Sequence, residues 1–111
     1  MKLELNIKTV DEKNKSESTL IVDLLKKCGI PGNKAVKIYQ QNSAEYIVRK
    51  CFLYEYYATE KNEPILSSMK WLQHAIRNDY NEPDGFINWY KAKKEYIKNN
   101  GNGDLKQLVS I

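Results

Sequence analysis

The stretch Pro64-Ile65-Leu66-Ser67-Ser68-Met69-Lys70-Trp71-Leu72-Gln73-His74-Ala75-Ile76-Arg77-Asn78-Asp79-Tyr80 decides the fold. Its residues Ile65, Met69, Leu72 and Ile76 recur at steps of three and four, with Ala75 and Tyr80 alongside, which is the spacing that gathers side chains on one stripe of a helix. That stripe is a core face. Ser67 is placed to cap the helix, and Leu66 and Trp71 are spaced to form a hydrophobic staple across its first turn. Asn81 and Pro83 end the segment. The opposite face carries Lys70, Gln73, His74 and Arg77, a polar and basic strip that reads either as a plain surface or as a nucleic-acid contact.

Upstream, Ser18 or Thr19 is placed to cap a helix with Leu20, Ile21, Leu24, Leu25 and Cys28 on one stripe, and Gly29 stops it. Ile30-Pro31-Gly32-Asn33 turns into a short second helix over about Lys34 to Gln41, with Ala35, Ile38 and Tyr39 inward. Asn42, with Glu45 three residues on, has capping-box spacing for a third helix. The apolar set of that helix, Ala44, Ile47, Val48, Cys51, Phe52, Tyr54, Tyr57 and Ala58, is so broad that it predicts the central member of a bundle. Downstream, Pro83 and Asp84 suit the first turn of a fifth helix, with Phe86, Tyr90 and Ile97 inward and Ile87, Lys91, Lys94 and Lys98 on one flank. Leu3, Leu5 and Ile7 alternate with polar residues as a strand does, and Asp11 to Glu17 is a polar run with nothing to bury.

The expected fold is therefore all-α, a compact bundle of about five helices over 19–99, with a flexible or strand-like N-terminal arm over 1–18 and a flexible tail over 100–111. The 111 residues are enough for one domain with a modest core, and 41% hydrophobic with 29% charged residues is a globular composition that excludes wholesale disorder. Eighteen basic against fourteen acidic side chains leave a formal charge of +4, a mild excess that suits an anionic partner without demanding one. Cys28 and Cys51 lack CxxC spacing and, with a single histidine, do not complete a four-ligand zinc set, so they read as small buried residues in a reducing compartment. The sequence has no apolar run of membrane-spanning length and no signal-peptide pattern at its start, so a cytoplasmic location off the membrane is expected.

Enzyme signatures are absent: there is no Gly-rich phosphate loop, no HExxH, no GxSxG and no pair of carboxylates within an apolar segment, so neither catalysis nor a cofactor is expected. Two patterns point to nucleic acid. Aromatic rings lie beside cations at Lys70-Trp71, at Trp89-Tyr90-Lys91 and around Tyr96, an arrangement that stacks bases and grips phosphates, although small bundles also use such rings to fill a core with a wet edge. Leu24, Cys28, Gly29, Ile30, Ala35 and Ile38 have approximately helix-turn-helix spacing, which would present Asn33, Lys34, Lys37 and Gln41 to a major groove; Leu25 is bulkier than the residue usual at that crossing.

Ile65, the pair Trp71-Leu72, the pair Ala75-Ile76 and the end Asp79-Tyr80, read with Tyr54 to Tyr57 before them and Pro83 to Trp89 after, resemble the helical C-terminal region of replication initiation proteins from plasmids and other mobile elements of low-GC bacteria. The resemblance runs from Ala35 to Lys91 and rests mainly on core positions. It departs where Ser67-Ser68-Met69 replaces the family's asparagine-proline-small turn, and no winged-helix part is recognisable before Lys61. What it implies is DNA replication, with DNA or a replication protein as partner, and it names no catalytic residue. On the residues themselves, Lys70, Gln73, His74 and Arg77, extended by Lys91 and Lys94, are the expected nucleic-acid contacts. The alternative reading is a protein-interaction module of a phage or mobile element that inhibits a host nuclease or defence complex; the positive charge argues against DNA mimicry.

Overall fold

A computed structural model describes residues 16–61, 65 and 67–111. Residues 1–15 of the expected arm and the Leu66 staple lie outside the described residues, while Ser16 to Ser18, expected in that arm, are the cap and first residues of the first helix. Those described form an all-helical bundle: α1 (Glu17–Lys27), α2 (Gly32–Gln41), α3 (Ala44–Thr59), α4 (Ser68–Asn78), α5 (Phe86–Asn100) and α6 (Gly103–Val109). No described helix is long and apolar enough to cross a membrane.

α3 is the axis of the bundle, and three of its sides are covered by different elements. Tyr46, Lys50, Tyr54 and Tyr57 face α4: the Tyr46 hydroxyl donates to the Ile76 carbonyl at 2.8 Å, and the Tyr54 and Tyr57 rings meet Trp71 at 5.7 and 5.5 Å. Arg49, Phe52 and Tyr56 face α5, with Phe52 5.2 Å from Tyr90, and Tyr56 5.6 Å from Phe86 and 5.2 Å from Trp89. At 100° per residue these two sets stand roughly a third of a turn apart. A third side, through Cys51, meets the end of α1 at Cys28. A helix enclosed on three sides must be apolar nearly all round, which is why its arc is so broad in the sequence.

The starts and stops refine the sequence reading. Ser67 caps α4 by accepting from the Lys70 amide, and Gly29, at φ +92°, ends α1 as expected. The cap of α1 is Ser16 rather than Ser18 or Thr19, and that of α3 is Ser43 rather than Asn42, whose side chain instead donates to the Ile38 carbonyl at the end of α2. α5 starts at Phe86, not at Pro83, because Gly85 at φ +91° breaks the backbone direction first. The segment 100–111, expected as a flexible tail, contains α6: Asn102 accepts from the Leu105 amide at 2.9 Å, and Leu108 and Val109 are buried in the shared core. Two apolar side chains with a capped turn are enough to fold this stretch back onto its neighbours.

Among the described residues one charged side chain is buried. Lys50 is 3% exposed; its ammonium donates to the Tyr80 carbonyl at 2.6 Å, lies 2.8 Å from Asp79 Oδ1 and rests 5.2 Å from the centre of the Tyr46 ring. Asp79 takes the left-handed conformation at φ 46° that turns the chain out of α4, so Lys50 fastens the end of one helix to the middle of another. The acidic-aromatic end in the sequence thereby acquires physical roles: Asp79 pairs with Lys50, and Tyr80 packs edge-on against Trp71 at 5.4 Å.

Candidate nucleic-acid interface

α4 positions Lys70, His74 and Arg77 on its solvent side, opposite the buried Leu72, Ala75 and Ile76, and Gln73 sits half-buried at the edge. The same four-residue repeat that packs one face forces the cations onto the other. Gln73, Ile76 and Arg77 then form one wall of a groove of about 310 Å³ whose other wall is Ile38, Gln41 and Asn42, at the end of α2. The α4 strip therefore continues onto α2.

Along α2, Lys34, Lys37 and Gln41 share one face at steps of three and four, all exposed, while Ala35 is buried on another side. Lys34 lies about 10 Å along the axis from Gln41, at 1.5 Å per residue. α1 and α2 are joined by the Gly29 turn and tied again where the Tyr39 hydroxyl donates to Glu17 at 3.0 Å, a bond that raises the Tyr39 phenol above its ordinary value. Neither α2 nor α4 contains an aspartate or glutamate. Among the described residues no ion pair neutralises Lys34, Lys37, Lys70 or Arg77. The two helices thus carry four cations and no acid of their own, with Gln41 and Gln73 at the groove between them and His74 exposed beside Lys70 and Arg77 on α4.

The cations of α5 are placed differently. α5 packs on another side of α3 from α4, and Lys94 is half-buried with its ammonium 4.6 Å from the centre of the Tyr90 ring, while Lys91 is exposed. Lys93 pairs with Glu55 at 3.2 Å and lies 5.9 Å from the Trp89 ring. Arg49 is committed too: it forms a two-toothed pair with Glu82, its Nη2 donating to Oε1 at 2.6 Å, which raises the guanidinium further, and it covers the Tyr90 ring at 5.6 Å.

Most aromatic rings of the sequence pattern are spent on packing. Trp71 is boxed by Tyr54, Tyr57 and Tyr80, and Trp89 by Phe52, Tyr56 and Phe86. Tyr96, 63% exposed, stands apart from them. The sequence reading missed the union of α2 with α4, since residues so far apart along the chain acquire a common groove only in three dimensions. Its available signal was the helix-turn-helix spacing, which already singled out Lys34, Lys37 and Gln41. No group of three or more histidine, cysteine or acidic side chains with metal-binding geometry occurs among the described residues. Comparisons of the chain with family models, with curated proteins and with solved structures returned no match.

Proposed function

We propose that the chain is a DNA-binding helical domain that grips the phosphate backbone through α2 and α4, in the replication or maintenance of a plasmid, phage or other mobile element. The observation that carries the binding role is that two helices with no acidic residue of their own meet around one groove, lined by Gln41 of α2 and by Gln73 and Arg77 of α4, with Lys34 and Lys37 on the Gln41 face of α2. Lysine and arginine at this spacing neutralise phosphates and set the register of the protein on a duplex, and the exposed side chains of α2 are the ones that would reach base edges. The genetic setting rests on the resemblance of residues 35–91 to the helical region of replication initiators. The role is binding; no catalytic step is assigned to any residue.

Fluorescence anisotropy with a labelled duplex at two salt concentrations tests the reading. Lys37→Glu with Arg77→Glu is expected to weaken binding at least tenfold at low salt, with unchanged helicity by circular dichroism. Unchanged affinity in that double variant would refute the assignment.

A further inference from the structure

Between α1, α3, α5 and α6 the structure holds a cavity of about 580 Å³, open to solvent and bounded by Cys28, Cys51, Phe52, Tyr96, Ile97 and Leu105 among others. The cysteines come from different elements: Cys28 follows the last turn of α1, half-buried, and Cys51 lies in the middle of α3, buried. Both are free thiols. We propose that Cys28 and Cys51 are a peroxide-responsive dithiol, a modification site at which a hydroperoxide entering by the cavity converts the pair to an intramolecular disulfide.

The geometry gives the two sulfurs different roles. The Cys28 and Cys51 side chains are in hydrogen-bonding contact, which holds the Cys28 thiol below its ordinary value, and the same contact together with burial pushes the Cys51 thiol well above its own. The end of the α1 dipole opposes a thiolate at Cys28, whereas Lys26 and Lys27 in the same last turn favour one. Cys28, with access to solvent, is thus the more acidic of the two thiols, and Cys51 is its buried neighbour.

In the first step the Cys28 thiolate attacks one peroxide oxygen and the O–O bond breaks. The sulfur becomes a sulfenic acid, and the departing hydroxide or alkoxide takes a proton to leave as water or an alcohol. In the second step the Cys51 sulfur attacks the sulfenic sulfur; its proton and the sulfenic hydroxyl leave together as water, and the S–S bond forms. The two thiols lose two electrons and the peroxide gains them. The product ties the turn leading into α2 to the middle of α3. A cavity lined chiefly by apolar side chains, with Glu55, Lys93, Asn100 and Asn102 also on its wall, admits a small neutral oxidant, and a dithiol that opens and closes is the form disulfides usually take in reducing compartments.

The test treats the full chain with hydrogen peroxide and follows intact mass without reductant, together with peptide mapping. The expected result is a monomer lighter by two hydrogen atoms, both thiols gone, the Cys28 and Cys51 peptides linked, and full reversal by dithiothreitol. Cys51→Ala should stop at a Cys28 sulfenic acid that dimedone traps. Cys28→Ser, a change at a half-exposed position, should leave Cys51 reduced under the same dose. Thiols that persist in the unmodified chain, oxygen added to either sulfur without a bridge, or a disulfide-linked dimer would each overturn the proposal, and the measurement on the unmodified chain decides it even if a variant fails to fold.

Discussion

Lys50 shows how much a single side chain is asked to do. Its ammonium satisfies the Tyr80 carbonyl just past α4 and pairs with Asp79, whose carboxylate is held below its ordinary value first by that hydrogen bond and then by the charge of Lys50. Lys50→Met keeps the length and the apolar stem but leaves the part-buried carbonyl without its donor, so unfolding in urea should show a loss of about 1 kcal/mol, the lower end of the cost of an unsatisfied acceptor. The pH dependence has a definite sign. A carboxyl whose folded value is depressed contributes stability above its unfolded value, and that contribution is lost as pH falls through the folded one. The acid limb of the stability curve should therefore be shallower in Lys50→Met than in the parent chain; parallel limbs would show that Asp79 is not linked to folding through Lys50. Gly85 is the second residue with no room for change. It stands at φ +91°, and an added Cβ would come within 3.1 Å of the Tyr56 hydroxyl, so Gly85→Ala should cost about 1–2 kcal/mol in the same measurement, from left-handed strain alone.

The helices were legible in the sequence in proportion to how many apolar residues each one repeats. α1, α3 and α4 each show three or more buried side chains at helical spacing, and their stripes and the Gly29 stop are where the periodicity puts them. α6 has only Leu108 and Val109 to bury, after a run of asparagine and glycine whose composition reads as flexible; what folds it is contact with α1 and α5, which no local pattern announces. The boundary of α5 was missed for a related reason: Pro83 satisfies a helical first turn locally, yet Gly85 takes a left-handed conformation there that no helix continues through. Leu108→Ala should cost about 2–5 kcal/mol, the range for truncating a buried leucine, and Asn102→Ala about 0.5–2 kcal/mol from the lost cap. Thermal melts followed by circular dichroism would report both. A melting point unmoved by Leu108→Ala would mean that α6 is not part of the cooperative core.

At the scale of the molecule the question is whether binding follows net charge or its location. Half of the candidate site was readable, because the outward face of α4 follows from the position of its core stripe; its pairing with α2 was not, because Gln41 and Arg77 are neighbours only through the way both helices lean on the bundle. That placement makes the salt dependence quantitative. If Lys34, Lys37, Lys70 and Arg77 each neutralise one phosphate, the logarithm of the binding constant should fall with the logarithm of salt at a slope of about −3.6, near −0.9 for each contact on B-form DNA. Lys37→Glu with Arg77→Glu should reduce the size of that slope by about 2. Lys91→Glu with Lys98→Glu brings the formal charge from +4 to zero just as the first pair does, but on exposed positions of α5. A field set by total charge makes the two double variants equivalent, whereas a built interface on α2 and α4 leaves the slope of the α5 variant close to that of the parent chain. Equal slopes for the two variants would remove the interface, and the phosphate reading of α4 with it.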